Sequence, residues 1–476
     1  MSRYTSMTVL AAMLVPIVAA AQPAPEPTPV PPEPTPAPAE APATDAPAAP
    51  FAFADWTWLS GNARTHESPL TLGNGIFVGE FRVDTSYHYS FNHPKDDTIS
   101  GSTEVFRHGE LSLTQLGIGG DFNYKNAHGR LMTQFGLYSQ TTPRNDTSPN
   151  RGQWKLDDAY RYLSEAYGGY HIDKDHGINI QAGIFMSYIG LWSYYNFDNW
   201  TYQPSYVSSN TPWFFTGARV QWFPTDKLKI EPWLVNGWQS YGRYNKSPGG
   251  GGQILYRPNG RVAFVFNNWA GTDTLGIEAR LRLHTDDSVM VKLFEDKESS
   301  SLSKLATSLT IDIGCETGGG VKCFGGDATT PSQYFIGFMA YMRAWFDHDR
   351  FAVTAGGGAI SNPGRYLVLV PPVNGATAYS GAAPFYTYNA GDPFKAFDTQ
   401  LTFDWMPSDF LTFRFEFNYR HANIPYFSGT GGVTPPGGNQ GDPGSTVDAD
   451  GDGMPDWEPD LVKAEPRFTA ALLVKM

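Results

Sequence analysis

Residues 79–92 read GEFRVDTSYHYSFN, and their alternation decides the fold. Gly79, Phe81, Val83, Thr85, Tyr87, Tyr89 and Phe91 interleave with Glu80, Arg82, Asp84, Ser86, His88, Ser90 and Asn92. Side chains of an extended strand point to opposite faces with period two, so one face suits an apolar medium and the other suits water. The run is longer than the 5–6 residues usual for soluble strands and covers the 9–11 that a tilted strand needs to cross a bilayer. The pattern returns in Ile178–Tyr188, where Ile178, Ile180, Ala182, Ile184, Met186 and Tyr188 share a face. It recurs with Ile277, Ala279, Leu281 and Leu283, and with Leu411, Phe413, Phe415, Phe417 and Tyr419. At the C-terminus Phe468, Ala470, Leu472, Val474 and Met476 alternate with Arg467, Thr469, Ala471, Leu473 and Lys475, as expected of a closing strand.

Composition agrees with this reading. Of 476 residues 14% are aromatic and only 17% charged, below the roughly 25% charge of an ordinary soluble chain. Part of the surface is therefore expected to face something other than water. After the N-terminus no apolar run approaches the roughly 20 residues of a spanning helix, which excludes a helical membrane protein. A net charge of −13 without a Lys/Arg cluster argues against nucleic acid. Catalysis finds no nucleophile elbow, zinc helix or P-loop, and the chain is expected not to be an enzyme. His88 and His284, on polar faces, suit hydrogen bonding better than metal ligation.

Residues 1–21 carry Arg3, an apolar stretch and small residues before Gln22, the pattern of a cleaved secretory signal. Residues 22–50 form a Pro/Ala-rich linker, with 12 of the 37 prolines between 23 and 50. In polyproline II geometry this linker spans on the order of 90 Å at 3.1 Å per residue. Residues 51–476 are expected to form the barrel. Export makes a Cys315–Cys323 disulfide the favoured state of the two cysteines, with buried thiols as the alternative.

Short turn signals at 224–227, 258–260, 285–288, 347–349 and 407–409 alternate with long connections at 191–211, 239–252, 358–393 and 421–461. Short turns on one rim and long loops on the other predict an all-β, transmembrane, antiparallel up-and-down β-barrel with short periplasmic turns and long extracellular loops. About 17 strands can be traced, with the irregularity at residues 295–333. Single-chain barrels have an even number, so 16 or 18 are expected, enough to leave a water-filled interior. Trp56, Trp58, Trp192, Tyr194, Tyr195, Trp200, Tyr202, Trp213, Trp222, Trp238 and Trp405 are candidates for interfacial aromatic belts.

Three runs carry a family likeness: FADWTWLSGN from Phe53, PWFFTGARVQWFPTDKLKIEPWLVNGW from Pro212, and NPGRYLVLVPPVNGATAYSG from Asn362. On these the chain resembles the putative β-barrel porin-2 family of bacterial outer-membrane proteins. The resemblance implies a porin fold and supplies no residue roles; the terminal Met476 departs from the terminal aromatic common among such barrels.

Glu80, Arg82, Asp84, Arg219, Glu278, Arg280, Arg282, Arg343, Arg414, Glu416 and Arg420 fall on polar faces and are the candidate pore-lining residues, since opposed charges bias which solutes cross a lumen. Asp448, Asp450, Asp452 and Asp456, with Gly453, occupy positions 1, 3, 5, 9 and 6 of a calcium-type loop at 448–460. Position 12 is Pro459, so the match is to the first part only. No cofactor is required; Ca2+ would have a structural role. The expected function is passive diffusion of small hydrophilic solutes or ions across the bacterial outer membrane, in contact with its lipid, with homo-oligomerisation left open. The alternative is a surface adhesion or structural barrel whose calcium-stiffened loops bind a partner. An energy-coupled transporter is disfavoured, because strand alternation begins too early to leave room for a large N-terminal plug.

Overall fold

The structure, a computed structural model, describes residues 48–60, 67–99, 105–144, 146, 154–192, 194–243, 245–274, 276–363, 366, 393–431 and 460–476. Sixteen long strands form the barrel: β1 (Phe77–Ser90), β2 (Leu111–Tyr124), β3 (Ala127–Thr133), β4 (Leu163–Ile172), β5 (Ile178–Met186), β6 (Phe214–Thr225), β7 (Leu228–Val235), β8 (Gly249–Asn259), β9 (Val262–Gly271), β10 (Leu281–Glu295), β11 (Leu302–Thr317), β12 (Tyr334–Phe346), β13 (Phe351–Ser361), β14 (Lys395–Ser408), β15 (Leu411–Ala422) and β16 (Ala464–Lys475). Each pairs antiparallel with its sequence neighbours, and β16 closes the ring on β1 from Arg467↔Ser90 to Lys475↔Arg82. Closure leaves no free edge, the condition for a sheet to stand in lipid.

The barrel is inside-out. Leu401 on the outer face is 56% exposed and Phe338 53%, whereas the inward Arg343, Arg414 and Arg420 are fully buried. This is the arrangement an apolar exterior requires. One outward carboxylate breaks the apolar band: Asp287 in β10 stands level with Phe266 and Ile311 of its neighbours and accepts a 3.1 Å bond from the Thr285 hydroxyl.

The irregularity at 295–333 has a specific origin. Residues 285–288, expected as a turn, lie in the middle of β10, which pairs unbroken across them (Asp286↔Asn267, Asp286↔Asp312). Thr-Asp-Asp-Ser has turn composition, but inward polar residues of a lumen have it too, and here Asp286 and Ser288 point inward and are buried. Removing that turn gives sixteen strands. The strand expected from Ile277 begins at Leu281, so Glu278 and Arg280 stand in the preceding connection. The other four short turns fall where expected, between β6 and β7, β8 and β9, β12 and β13, and β14 and β15. Cys315, in β11, and Cys323, in the connection after it, form a disulfide with Cα atoms 4.9 Å apart.

The calcium-type residues Asp448, Asp450, Asp452 and Asp456 lie outside the described residues, as do residues 1–47, which hold the expected signal and most of the linker.

Candidate functional site

The β5–β6 connection, residues 187–213, folds into the lumen. Within residues 191–211 it holds seven aromatics and one charge, Asp198. That composition suits a packed interior better than a water-facing loop. Trp200, Tyr202 and Tyr206 are fully buried, and Trp192, Trp200 and Trp345 pack in sequence with ring centres 5.3 and 5.8 Å apart. Most aromatics expected at the lipid interface are therefore inside: Trp58, Trp192, Tyr194, Tyr195, Trp200, Tyr202, Trp213 and Trp238 are all buried, while Trp222 and Trp405 are exposed on the outer face.

An irregular segment inside a barrel has no ladder to satisfy its backbone, and buried N–H and C=O groups left unpaired are costly. The wall of β12–β16 and β1 supplies the partners. Arg414 donates to the carbonyls of Asn196 (2.9 Å), Thr201 (3.1 Å) and Asn199 (2.9 Å), Arg343 to that of Trp200 (3.1 Å), and Arg420 to that of Pro204 (2.8 Å). Carboxylates take the N–H groups: Glu416 accepts from Tyr202 (2.6 Å) and Gln203 (3.1 Å), and Asp398 from Tyr206 (2.8 Å). Asp404 sits between Arg343 and Arg414, 2.7 Å from each. Asp84 accepts from the Tyr202 hydroxyl at 3.1 Å, and Arg82 lies 4.0 Å from the centre of the Tyr195 ring.

Glycines seat the loop. A Cβ at Gly358 would lie 2.4 Å from Ser205 Oγ and 2.4 Å from the Phe338 carbonyl, and one at Gly337 would lie 3.0 Å from Val207. Gly358→Val is expected to destabilise the protein by about 1–3 kcal/mol, the usual range for overpacking. The check is heat-induced unfolding of the detergent-solubilised barrel.

The β1–β7 wall, towards the short-turn end, keeps partly water-exposed groups. Arg130 contacts Glu80 (2.6 Å), Glu165 (2.8 Å) and Asp121 (3.0 Å), and Glu80 also contacts Arg82. Beside them Arg219 reaches Gln181 (2.6 Å) and Glu231 (3.4 Å), with Lys229 also on Glu231. Of the candidate pore-lining residues, Glu80, Arg82, Asp84, Arg219, Arg282, Arg343, Arg414, Glu416 and Arg420 project inward. Arg82, Asp84, Arg343, Arg414, Glu416 and Arg420 face the inserted loop, and Arg282 pairs with Glu316 at 2.9 Å. Glu278 is instead exposed on the long-loop rim, 3.5 Å from Lys246, and Arg280 there donates to the Gly319 carbonyl at 2.7 Å.

Asp404, Arg467, Glu465 and Arg130 belong to these networks and were not among the candidates. Alternation in FDTQLTFDWM and EPRFTAALL places the first three on inward faces, so the signal was present. Arg467 pairs with Glu465 at 3.2 Å and meets Gln203 of the loop.

The short-turn end is crossed by residues 48–60. Phe51 N–H bonds the Asp226 carbonyl (2.7 Å), His176 bonds the Ala48 carbonyl (2.8 Å), and Asp55 meets Lys297 (3.4 Å). Burial alone would raise the Asp55 carboxyl, but bonds from the Thr57 N–H and hydroxyl, at 2.9 and 2.8 Å, together with Lys297, outweigh it and hold the group at about 2. A lowered folded value contributes stability above the unfolded value near 3.9, lost as pH falls through the folded one. The Asp55 contact is therefore expected to hold from neutral pH to about 4 and to fail towards pH 2. Tryptophan fluorescence of wild type against Asp55→Asn across that range checks it.

A closed sixteen-stranded barrel with an apolar exterior and a polar lumen narrowed by an inward loop has the architecture of a β-barrel porin. The sequence matches the family model "Putative beta-barrel porin-2, OmpL-like" over residues 82–441, and the chain belongs to that family, whose membership implies the outer membrane. A search of curated proteins gives no match. Among solved structures the chain is similar to the outer-membrane channel DcaP of Acinetobacter baumannii (11% identity, TM-score 0.46, covering 84% of this chain and 97% of that one). It is also similar to an anion-selective porin from Comamonas acidovorans (10%, 0.46, 84% and 99%) and to the trimer form of OmpT from Vibrio cholerae (10%, 0.45, 84% and 99%).

Proposed function

We propose that the protein is a passive outer-membrane channel for small hydrophilic solutes or ions, with the 187–213 loop as its constriction. The observation that carries this reading is the partly water-exposed charge network at the short-turn end of the β1–β7 wall. There Glu80, Asp121, Arg130, Glu165, Arg219 and Lys229 keep contact with water beside the inserted loop. Charges of both signs along such a wall favour hydrated solutes and set no chemical step. Liposome swelling with sugars and amino acids of graded size is the test. Uptake that falls with solute size supports the reading; liposomes that stay impermeable to the smallest solutes overturn it.

The extent to which aromatics fill the lumen favours a second reading, a surface adhesion or structural barrel whose loops, stiffened by Ca2+ at Asp448, Asp450, Asp452 and Asp456, bind a partner. Only the spacing of those carboxylates supports the metal. Terbium luminescence that Ca2+ displaces in wild type and that Asp450→Asn with Asp452→Asn abolishes is the expected result. Calcium-dependent surface binding together with impermeable liposomes would favour adhesion over the channel.

A further inference from the structure

Residues 48–60 are joined to the barrel unlike any strand. They touch the connections between β4 and β5, β6 and β7, and β10 and β11 through His176, Asp226 and Lys297. Arg257 of β8 lies 4.7 Å from the centre of the Phe51 ring and 4.5 Å from that of Trp56. From this rim the segment turns into the lumen, where Trp58 is 1% exposed. The Trp58 carbonyl accepts the indole N–H of Trp200 at 3.2 Å, and Ser60 Oγ donates to the Asp198 carbonyl at 3.2 Å. Trp200 and Asp198 belong to the constriction loop, so this segment meets that loop from the short-turn side.

We propose that residues 48–60 are a removable plug, an autoinhibitory strap that holds the channel shut at its periplasmic mouth and opens it when withdrawn. The inference rests on the channel reading above. Two features make the strap removable. Trp58 is the one fully buried side chain of the thirteen residues, so withdrawal exposes far less apolar surface than unpairing a strand. Its polar attachments are single bonds to the turns of the rim and to the constriction loop, with no ladder pairing to any barrel strand. The Pro-rich stretch that precedes it in sequence gives anything that grips the N-terminus a handle on the plug. Withdrawal also takes the Trp58 carbonyl from Trp200 Nε1 and the Ser60 hydroxyl from the Asp198 carbonyl, so it loosens the tip of the constriction loop at the same time.

The structure supplies a locking pair. A Cβ at Gly260 would stand 2.9 Å from the Ala54 Cβ, so a small shift of the strap brings Ala54→Cys and Gly260→Cys to the roughly 3.5–4.5 Å that a disulfide spans. The experiment uses the full chain in planar bilayers: wild type, the A54C/G260C protein oxidised and then reduced, and a chain lacking residues 48–60. The native Cys315–Cys323 bond makes reductant-treated wild type the necessary control. The expected result is a mean current about tenfold lower in the oxidised lock, recovery on reduction to the level of reduced wild type, and a higher current without the strap; tenfold corresponds to about 1.4 kcal/mol of bias towards the closed state. Equal currents from the oxidised lock and wild type, with both conducting, overturn the strap and leave the channel intact. No current from any of the proteins, the strapless chain included, overturns the channel reading and the strap with it.

Discussion

An Arg414→Ala protein conducts several-fold more current than wild type and unfolds at lower temperature. The side chain is fully buried and makes five bonds, three to loop carbonyls and two to Asp404, at 2.7 and 3.0 Å. Truncation leaves the carbonyls of Asn196, Asn199 and Thr201 without those donors and leaves Asp404 with Arg343 as its remaining cation. Breaking one partner out of a buried charge network costs about 3–5 kcal/mol, and here much of that falls on the loop, the element with the least independent support. The barrel strands keep their ladders, so the loop yields first and the lumen widens. Arg414→Lys does not restore the wild-type current, because an ammonium has three donors and cannot form the planar fork to Asp404 while reaching three carbonyls. Single-channel current and thermal unfolding of the three proteins check this.

Replacing residues 196–210 by a short Gly-Ser linker has the larger effect on conductance. That stretch carries Phe197, Trp200, Tyr202 and Tyr206 into the lumen, and its removal is expected to raise unit conductance on the order of tenfold, towards the aqueous channel that barrels of this strand number otherwise leave. The barrel still closes, since β5 and β6 pair directly from Ile178↔Trp222 to Met186↔Phe214. Stability falls as well, because Arg343, Arg414 and Arg420 lose their loop carbonyls and Glu416 and Asp398 lose their N–H donors. Swelling assays with larger solutes separate a widened pore from a leaky, partly unfolded barrel: a widened pore keeps a size limit at a higher value.

Much of this fold is written in the period-two pattern, which needs only local information. Phe81, Val83 and Tyr87 point outward and Arg82, Asp84 and His88 inward because a strand has two faces, and no knowledge of the rest of the chain is required. What fails is the reading of polar residues by composition. Residues 285–288 have the polarity of a turn, but they belong to a strand whose inner face is polar, and composition alone does not distinguish the two. The aromatics mislead for a related reason. Trp200 and Tyr202 suit a lipid–water interface, a protein core or a plug equally well, and which one they occupy depends on whether their connection folds outward or inward. Charge scarcity in residues 191–211 is the available clue, since a loop exposed to water rarely carries seven aromatics and one charge. The inward charges were legible as inward, but their partners were not. Arg414 and Asn199 are far apart in sequence, and only the folded loop brings the guanidinium to the carbonyl at 2.9 Å. Arg343, Arg414, Glu416 and Arg420 point inward as expected, and there they bind the backbone of the inserted loop.

The most direct test is the unit conductance of the purified wild-type protein in a planar bilayer, compared with that of the protein whose residues 196–210 are replaced by the linker. A loop-constricted channel gives small discrete steps for wild type and much larger ones for the shortened protein. Absence of discrete steps from both would contradict it.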